Sequence, residues 1–243
     1  MNQSVGFHPS KDRVFTNYSA VLDRIQSAAA RSKRNLNEIR LIGVTKYVDT
    51  TMAKWLVEFG CTNLAESRPQ ALWEKAASLA DLQVEWHLIG HLQRNKVKRT
   101  LPLISTMHTL DSIRILDQIL LETDQRSVPL QLLLEINVSG DPKKTGMQVS
   151  QCEELLESWI SNMHKAPNLS IVGLMGMGSL QGGTDQARRD FASLRELRDL
   201  WANRYGLPLK ELSMGMSEDF EAAVEEGATM VRIGSILFAD DSG

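Results

Sequence analysis

Eight short apolar runs, separated by helical patterns, constrain this chain more than anything else in it. They fall at 39–45, 62–66, 85–90, 107–111, 130–137, 171–177, 211–216 and 230–234. Each has strand length and is followed by a helical periodicity or a short closing segment. The clearest helix is expected over 184–205, where Ala187, Phe191, Leu194, Leu197 and Trp201 form one apolar stripe. Another helix should precede the first strand, because Val14, Tyr18, Val21, Leu22 and Ile25 share a helical face. Strict β-then-α alternation implies a parallel sheet. Eight such units in 243 residues imply an α/β fold, a closed TIM (β/α)8 barrel with an extra N-terminal helix. A doubly wound open sheet is the alternative, weakened because no Gly-x-Gly-x-x-Gly follows any strand. No repeat, linker or low-complexity segment divides 1–243, so a single domain is expected.

Composition narrows the function classes. The chain is 42% hydrophobic and 23% charged, an ordinary globular balance. No stretch approaches the roughly 20 apolar residues of a membrane span. Residues 1–11 lack the apolar centre of a secretory signal. Cys61 and Cys152 form no spacing pattern, which points to a reducing cytoplasm. Five scattered histidines give no metal-ligand pair, so no metal is expected. Residues 1–100 carry 15 Lys and Arg against 9 Asp and Glu, whereas 101–243 carry 12 against 21. The sharpest basic cluster, Arg94, Lys96, Lys98 and Arg99, reads as a solvated helix face without interleaved aromatics. Nucleic-acid binding is not expected.

In a barrel of this kind the chemistry sits at the C-terminal ends of the strands. Lys46 stands out there, closing the run Ile39-Arg40-Leu41-Ile42-Gly43-Val44-Thr45. A lysine ending a strand buried on both faces must find a partner, lose its charge or snorkel to the sheet edge. An uncharged amine can attack an aldehyde to form a Schiff base. Towards the other end, Ser213-Met214-Gly215-Met216-Ser217 leads into a helix closed by Gly227, with Ser217 placed as its N-cap. The eighth strand ends at Gly234-Ser235, where a backbone without a side chain admits an anion to its N–H groups. Phosphate pockets in barrels commonly form after strands seven and eight.

Two further runs are distinctive: Gly43-Val44-Thr45-Lys46 and Trp86-His87-Leu88-Ile89-Gly90-His91-Leu92-Gln93-Arg94-Asn95-Lys96. With Gly173-Leu174-Met175, Leu212 to Ser217 and Val231 to Ser235, the chain resembles the pyridoxal-phosphate homeostasis proteins. These are single-domain relatives of the N-terminal barrel of alanine racemase, and the likeness runs from about Val14 to Phe238. The resemblance implies that Lys46 holds pyridoxal 5′-phosphate (PLP) as an internal aldimine. It implies that Ser213, Ser217, Gly234 and Ser235 surround the phosphate, with Met214 and Gly215 in the same run, and that Arg232 lies beside the pyridine nitrogen. His87 and Asn63 are further candidates near the cofactor, with core packing as the alternative for both. Two places depart from the family pattern. Ala65-Glu66-Ser67 stands where relatives read Gly-Glu-Asn. Gly140-Asp141-Pro142-Lys143-Lys144-Thr145-Gly146 keeps a Lys-x-Gly but lacks the usual glutamate.

Bound PLP does not by itself make an enzyme. Racemising an amino acid needs a base on each face, and Lys46 could serve one. In alanine racemase the second is a tyrosine from a separate C-terminal domain. Here the sequence reaches Gly243, eight residues past Ser235, so no such domain is expected. Tyr18 and Tyr205 sit in helical patterns, and Tyr47 would point away from Lys46 if the strand continued. A missing base costs roughly 10²–10⁴ in rate. The expected role is a non-enzymatic, monomeric, cytoplasmic protein of vitamin B6 homeostasis that holds PLP and passes it to apo-PLP enzymes. A weak PLP-dependent amino-acid racemase and a cofactor-free Schiff-base lyase are the alternatives.

Overall fold

The computed structural model describes residues 9–122, 128–138, 145–179 and 182–240. Residues 140–144, which carry most of the altered Lys-x-Gly loop, lie outside that range, as do 1–8. The apolar runs become β1 (Arg40–Val44), β2 (Asn63–Glu66), β3 (Glu85–Leu88), β4 (Thr106–Leu110), β5 (Leu130–Glu135), β6 (Leu169–Met175), β7 (Glu211–Ser213) and β8 (Met230–Ile233). Every adjacent pair is parallel, and β8 returns to β1 through Arg40↔Met230, Leu41↔Val231, Ile42↔Arg232 and Gly43↔Ile233. That pairing closes the barrel and excludes the open sheet. Most strands stop one to three residues before their apolar runs end, because the chain leaves the ladder there to build the loops of the mouth.

Eight α-helices appear among the described residues: α1 (Lys11–Arg31), α2 (Thr50–Glu58), α3 (Pro69–Ser78), α4 (Val97–Thr100), α5 (Ile113–Glu122), α6 (Val149–Asn162), α7 (Gly183–Tyr205) and α8 (Phe220–Glu225). Ser10 caps α1 by accepting from the Arg13 N–H. The helix buries Val14, Tyr18, Val21 and Ile25, while Leu22 stays 38% exposed, so its apolar face is narrower than the sequence implied. Asn17 Nδ2 donates to the carbonyls of Leu237 and Ala239, at 3.2 and 2.9 Å. Ser217 does not cap α8. Asp219 holds that place, its Oδ1 accepting from Met216 N at 2.7 Å, so a tight turn intervenes and the helix starts at Phe220.

Apolar packing divides into a shell between strands and helices and a small lumen cluster of Ile42, Val44, Ala65 and Met230, with Ile89 against it. Among the described residues no helix is long and apolar enough to cross a membrane, and no group of His, Cys, Asp and Glu is arranged to hold a metal ion.

Gly173 marks the tightest strand contact. The β5–β6 register shifts beside it, and a Cβ there would lie 1.9 Å from the Glu211 carbonyl oxygen of β7. Glycine at such a bulge lets two backbones meet. Gly173→Ala is expected to destabilise the barrel by about 1–3 kcal/mol or more, read as a lower thermal midpoint. An unchanged midpoint would refute the close approach.

Candidate functional site

β1 ends at Val44, and Lys46 lies two residues beyond in a turn, exposed to solvent rather than buried at a strand end. The buried lysine of this region is Lys75 of α3, 7% exposed. Its Nζ donates to Glu66 Oε1 and to the Thr45 carbonyl, both at 2.6 Å. Thr45 Oγ1 donates to the same carboxylate oxygen at 2.6 Å, and Thr45 N to Ala65 O at 3.0 Å. The residue before Lys46 is thus held by its amide, hydroxyl and carbonyl. Removing one partner of a buried pair costs about 3–5 kcal/mol, so the anchor is stiff. Sequence reasoning missed Lys75, although it is the one charged residue on the apolar face formed with Leu72, Ala76 and Leu79.

Lys46 Nζ stands 4.8 Å from the centroid of the Tyr47 ring, and both residues line one cavity. Tyr47 does not point away, because the strand has already ended and alternation no longer applies. The cavity measures about 260 Å³ and lies between β1 and the segments that follow β7 and β8. Arg232, Ser217, Gly234 and Ser235 line it as well, with Glu218, Asp219 and an apolar side of Val44, Val48, Ile89 and Phe238.

Two turns bring free donors to this cavity. Ser217 and Glu218 lie in the turn closed by Asp219, and Ser235 and Ile236 open a single 3-10 turn, Ser235–Leu237. Among the described residues none of these four amides has a carbonyl partner. A Cβ on Gly234 would come within 3.2 Å of the Val44 carbonyl oxygen, so the glycine keeps the backbone close to β1 and bare. Uncommitted amides at a turn, joined by two hydroxyls, suit an anion with several acceptor oxygens.

Arg232 is buried in β8. Its Nη1 donates to Ser213 Oγ at 2.6 Å and its Nη2 to the Gly176 carbonyl at 3.1 Å. Burial pulls its pKa down to about 10, against the opposing pull of Asp219 and Glu135, so it stays cationic at neutral pH. Burial also raises both carboxyls above their ordinary range. Among the described residues two of the five guanidinium N–H groups are committed.

The other sequence candidates lie behind the cavity rather than in it. Ser213 is fully buried in the lumen, its Oγ 2.7 Å from His108 Nδ1. His87 and Asn63 continue from His108, with His87 Nδ1 2.9 Å from His108 Nε2 and His87 Nε2 3.0 Å from Asn63 Oδ1. Met214 is fully buried, and Gly215 turns the chain towards α8 with φ 89°. In the basic cluster, the Arg99 guanidinium sits 4.0 Å over the Trp73 ring of α3, an aromatic contact that local spacing could not reveal.

The family described as alanine racemase, N-terminal domain, matches residues 11–242. The pyridoxal phosphate homeostasis protein of Aquifex aeolicus is 38% identical, over 91% of this chain and 96% of its own length. The protein of that name from Homo sapiens is 36% identical, over 91% of this chain and 84% of its own. The solved structure of PipY from Synechococcus elongatus with PLP bound superposes with a TM-score of 0.77 and 27% identity, covering 90% of this chain and 100% of that one. An alanine racemase from Clostridium difficile superposes with a TM-score of 0.72 at 16% identity, over 96% of this chain and 58% of that one, a likeness of fold alone. The chain therefore belongs to the alanine racemase N-terminal domain family, among the pyridoxal phosphate homeostasis proteins.

Proposed function

We propose that this protein binds pyridoxal 5′-phosphate in the cavity at the β1–β8 seam and keeps it available to apo-PLP enzymes without catalysing a reaction itself. The observation that carries the reading is one small cavity presenting a primary amine, a set of uncommitted amides with two hydroxyls, and a buried guanidinium. The names of the relatives and the PLP in PipY support it. About 260 Å³ lies just under the roughly 300–1,000 Å³ of drug-sized ligand sites, the scale of one ring with a phosphate arm. When bound, PLP supplies an aldehyde that links to amines and a ring that withdraws electrons, most strongly when its nitrogen is protonated.

Each residue then has a task. Lys46 Nζ, carried on the anchored Thr45, would hold the aldehyde carbon through a carbon–nitrogen link, the aldehyde oxygen leaving as water. Ser217, Gly234 and Ser235 offer hydroxyl and amide donors to the phosphate. Arg232 would donate to the pyridine nitrogen and, since it cannot accept a proton, would disfavour protonation there. The ring is held but electronically muted, which fits storage better than turnover. A single-domain, monomeric protein of the cytoplasm is the form this role takes. The observation favouring a second reading, a weak amino-acid racemase, is Tyr47 beside Lys46 at the cavity.

Lys46→Ala is expected to abolish the covalent link while leaving the fold intact, because the side chain it removes is exposed. Peptide mapping after borohydride reduction should place the cofactor on Lys46, and its appearance on another lysine would overturn the assignment. Ser217→Ala and Ser235→Ala should each weaken retention by about 1.5–3 kcal/mol, the worth of a charge-assisted hydrogen bond. Pyridoxal lacking the phosphate should bind poorly, and equal affinity for the two forms would dismiss the phosphate cup. Deuterium exchange into amino acids at saturating PLP should be slow. Racemisation at the ordinary enzymatic rate of about 1–10³ s⁻¹, lost in Tyr47→Phe, would instead establish the racemase.

A further inference from the structure

A barrel lumen is usually filled with branched apolar side chains. Here it holds a line of five polar ones from β8, β7, β4, β3 and β2. The line runs Arg232, Ser213, His108, His87, Asn63, with successive distances of 2.6, 2.7, 2.9 and 3.0 Å. Ser213, His108 and His87 have no exposed surface. The step from Ser213 to His108 joins β7 to β4 across the lumen.

The Arg232 end sets the direction of the bonds. A guanidinium can only donate, so Ser213 Oγ accepts from Arg232 and its own hydrogen goes to His108 Nδ1. A neutral His108 therefore carries its hydrogen on Nε2 and donates it to His87 Nδ1. His87 likewise carries its hydrogen on Nε2 and donates to Asn63 Oδ1. The Asn63 amide is turned to match, with its Nδ2 3.5 Å from Thr62 Oγ1. The reverse direction would put two donors on Ser213 Oγ and leave its hydroxyl hydrogen without an acceptor among the described residues. A second proton on His87 would set two N–H groups against each other at 2.9 Å, and one on His108 would set its Nδ1–H against the Ser213 hydroxyl hydrogen at 2.7 Å. Burial holds both rings neutral, His87 down to about 3, and the cations Arg40 and Arg232 add to the effect.

We infer that His108 and His87 are positioning residues. As neutral Nε2–H tautomers they carry a hydrogen-bond chain of one direction that fixes Ser213, and through it the Arg232 guanidinium at the cavity wall. Ser213 is then no donor to a bound anion, since its hydrogen is committed to His108. The sequence likeness, which groups Ser213 with the phosphate residues, does not separate these two roles.

Two measurements test this. The first needs no ligand: long-range proton–nitrogen NMR on the protein without added cofactor should show both rings as neutral Nε2–H tautomers from about pH 5 to pH 8. An Nδ1–H tautomer, or protonation in that range, would overturn the chain. The second rests on the PLP reading and compares His108→Gln with His108→Leu. A glutamine can accept from Ser213 and donate to His87, whereas leucine fills similar space and does neither. PLP retention should fall about tenfold or more in His108→Leu and return to within about threefold of wild type in His108→Gln. Leucine performing as well as glutamine would mean a packing role and refute the inference. If neither variant folds, the tautomers of the wild type decide. Failure of the wild type to bind PLP would sink the functional reading and leave the NMR result standing.

Discussion

The parallel pairing of β8 with β1 is the constraint on which the candidate site depends. Through four register pairs it sets Arg232 opposite Ile42 and Ile233 opposite Gly43, and so delivers the chain at Gly234 to the edge of Val44. Lys46 and the two serines then border one cavity although they come from opposite ends of the sequence. Without closure there would be an amine on one edge strand and a set of free amides on another. Neither has a use alone: an exposed lysine is ordinary, and two uncommitted turns would simply bind water.

Around that seam the structure separates the groups that meet solvent from the groups that hold them. Lys46 is exposed, but Thr45 before it is held by the buried Lys75–Glu66 pair. Arg232 lines the cavity, and Ser213 and Gly176 hold its guanidinium from behind. Both supports are polar and enclosed, which makes them all-or-none. A satisfied buried polar network is rigid, and one missing partner leaves a costly orphan. Glu66 Oε2 already has no partner among the described residues, so that support carries some cost even when complete.

The fold was legible because its signal is local and repeated: a strand-length apolar run, then a helical period, eight times. Lys46, Ser217, Arg232, Gly234 and Ser235 were legible because each falls at or just past a strand end, where barrels place their chemistry. What stayed hidden depends on contacts far away in sequence. Tyr47 joins the cavity because β1 ends at Val44, and Thr45 is tied to residues of β2 and α3 rather than continuing the ladder with β8. His108 is one of five scattered histidines that no local pattern singles out, and its partners stand 21 and 105 positions away. Ser217 was read as a cap because it precedes a helical pattern, but the carboxylate of Asp219 takes the amide of Met216 and delays the helix.

The clamp from Asn17 to the carbonyls of Leu237 and Ala239 spans 220 and 222 positions. A ribosome adding about 5–20 residues per second needs roughly 10–45 seconds to cover that interval. During that time α1 can rest against α2, but its partners in α8 and at 237–239 have not been made. Its apolar side, with Val14, Val21 and Ile25, is incompletely covered for as long. Helix α1 is thus among the last pieces of the barrel to settle although it is made well before its partners, and any chaperone that shields this nascent chain would have its longest task there.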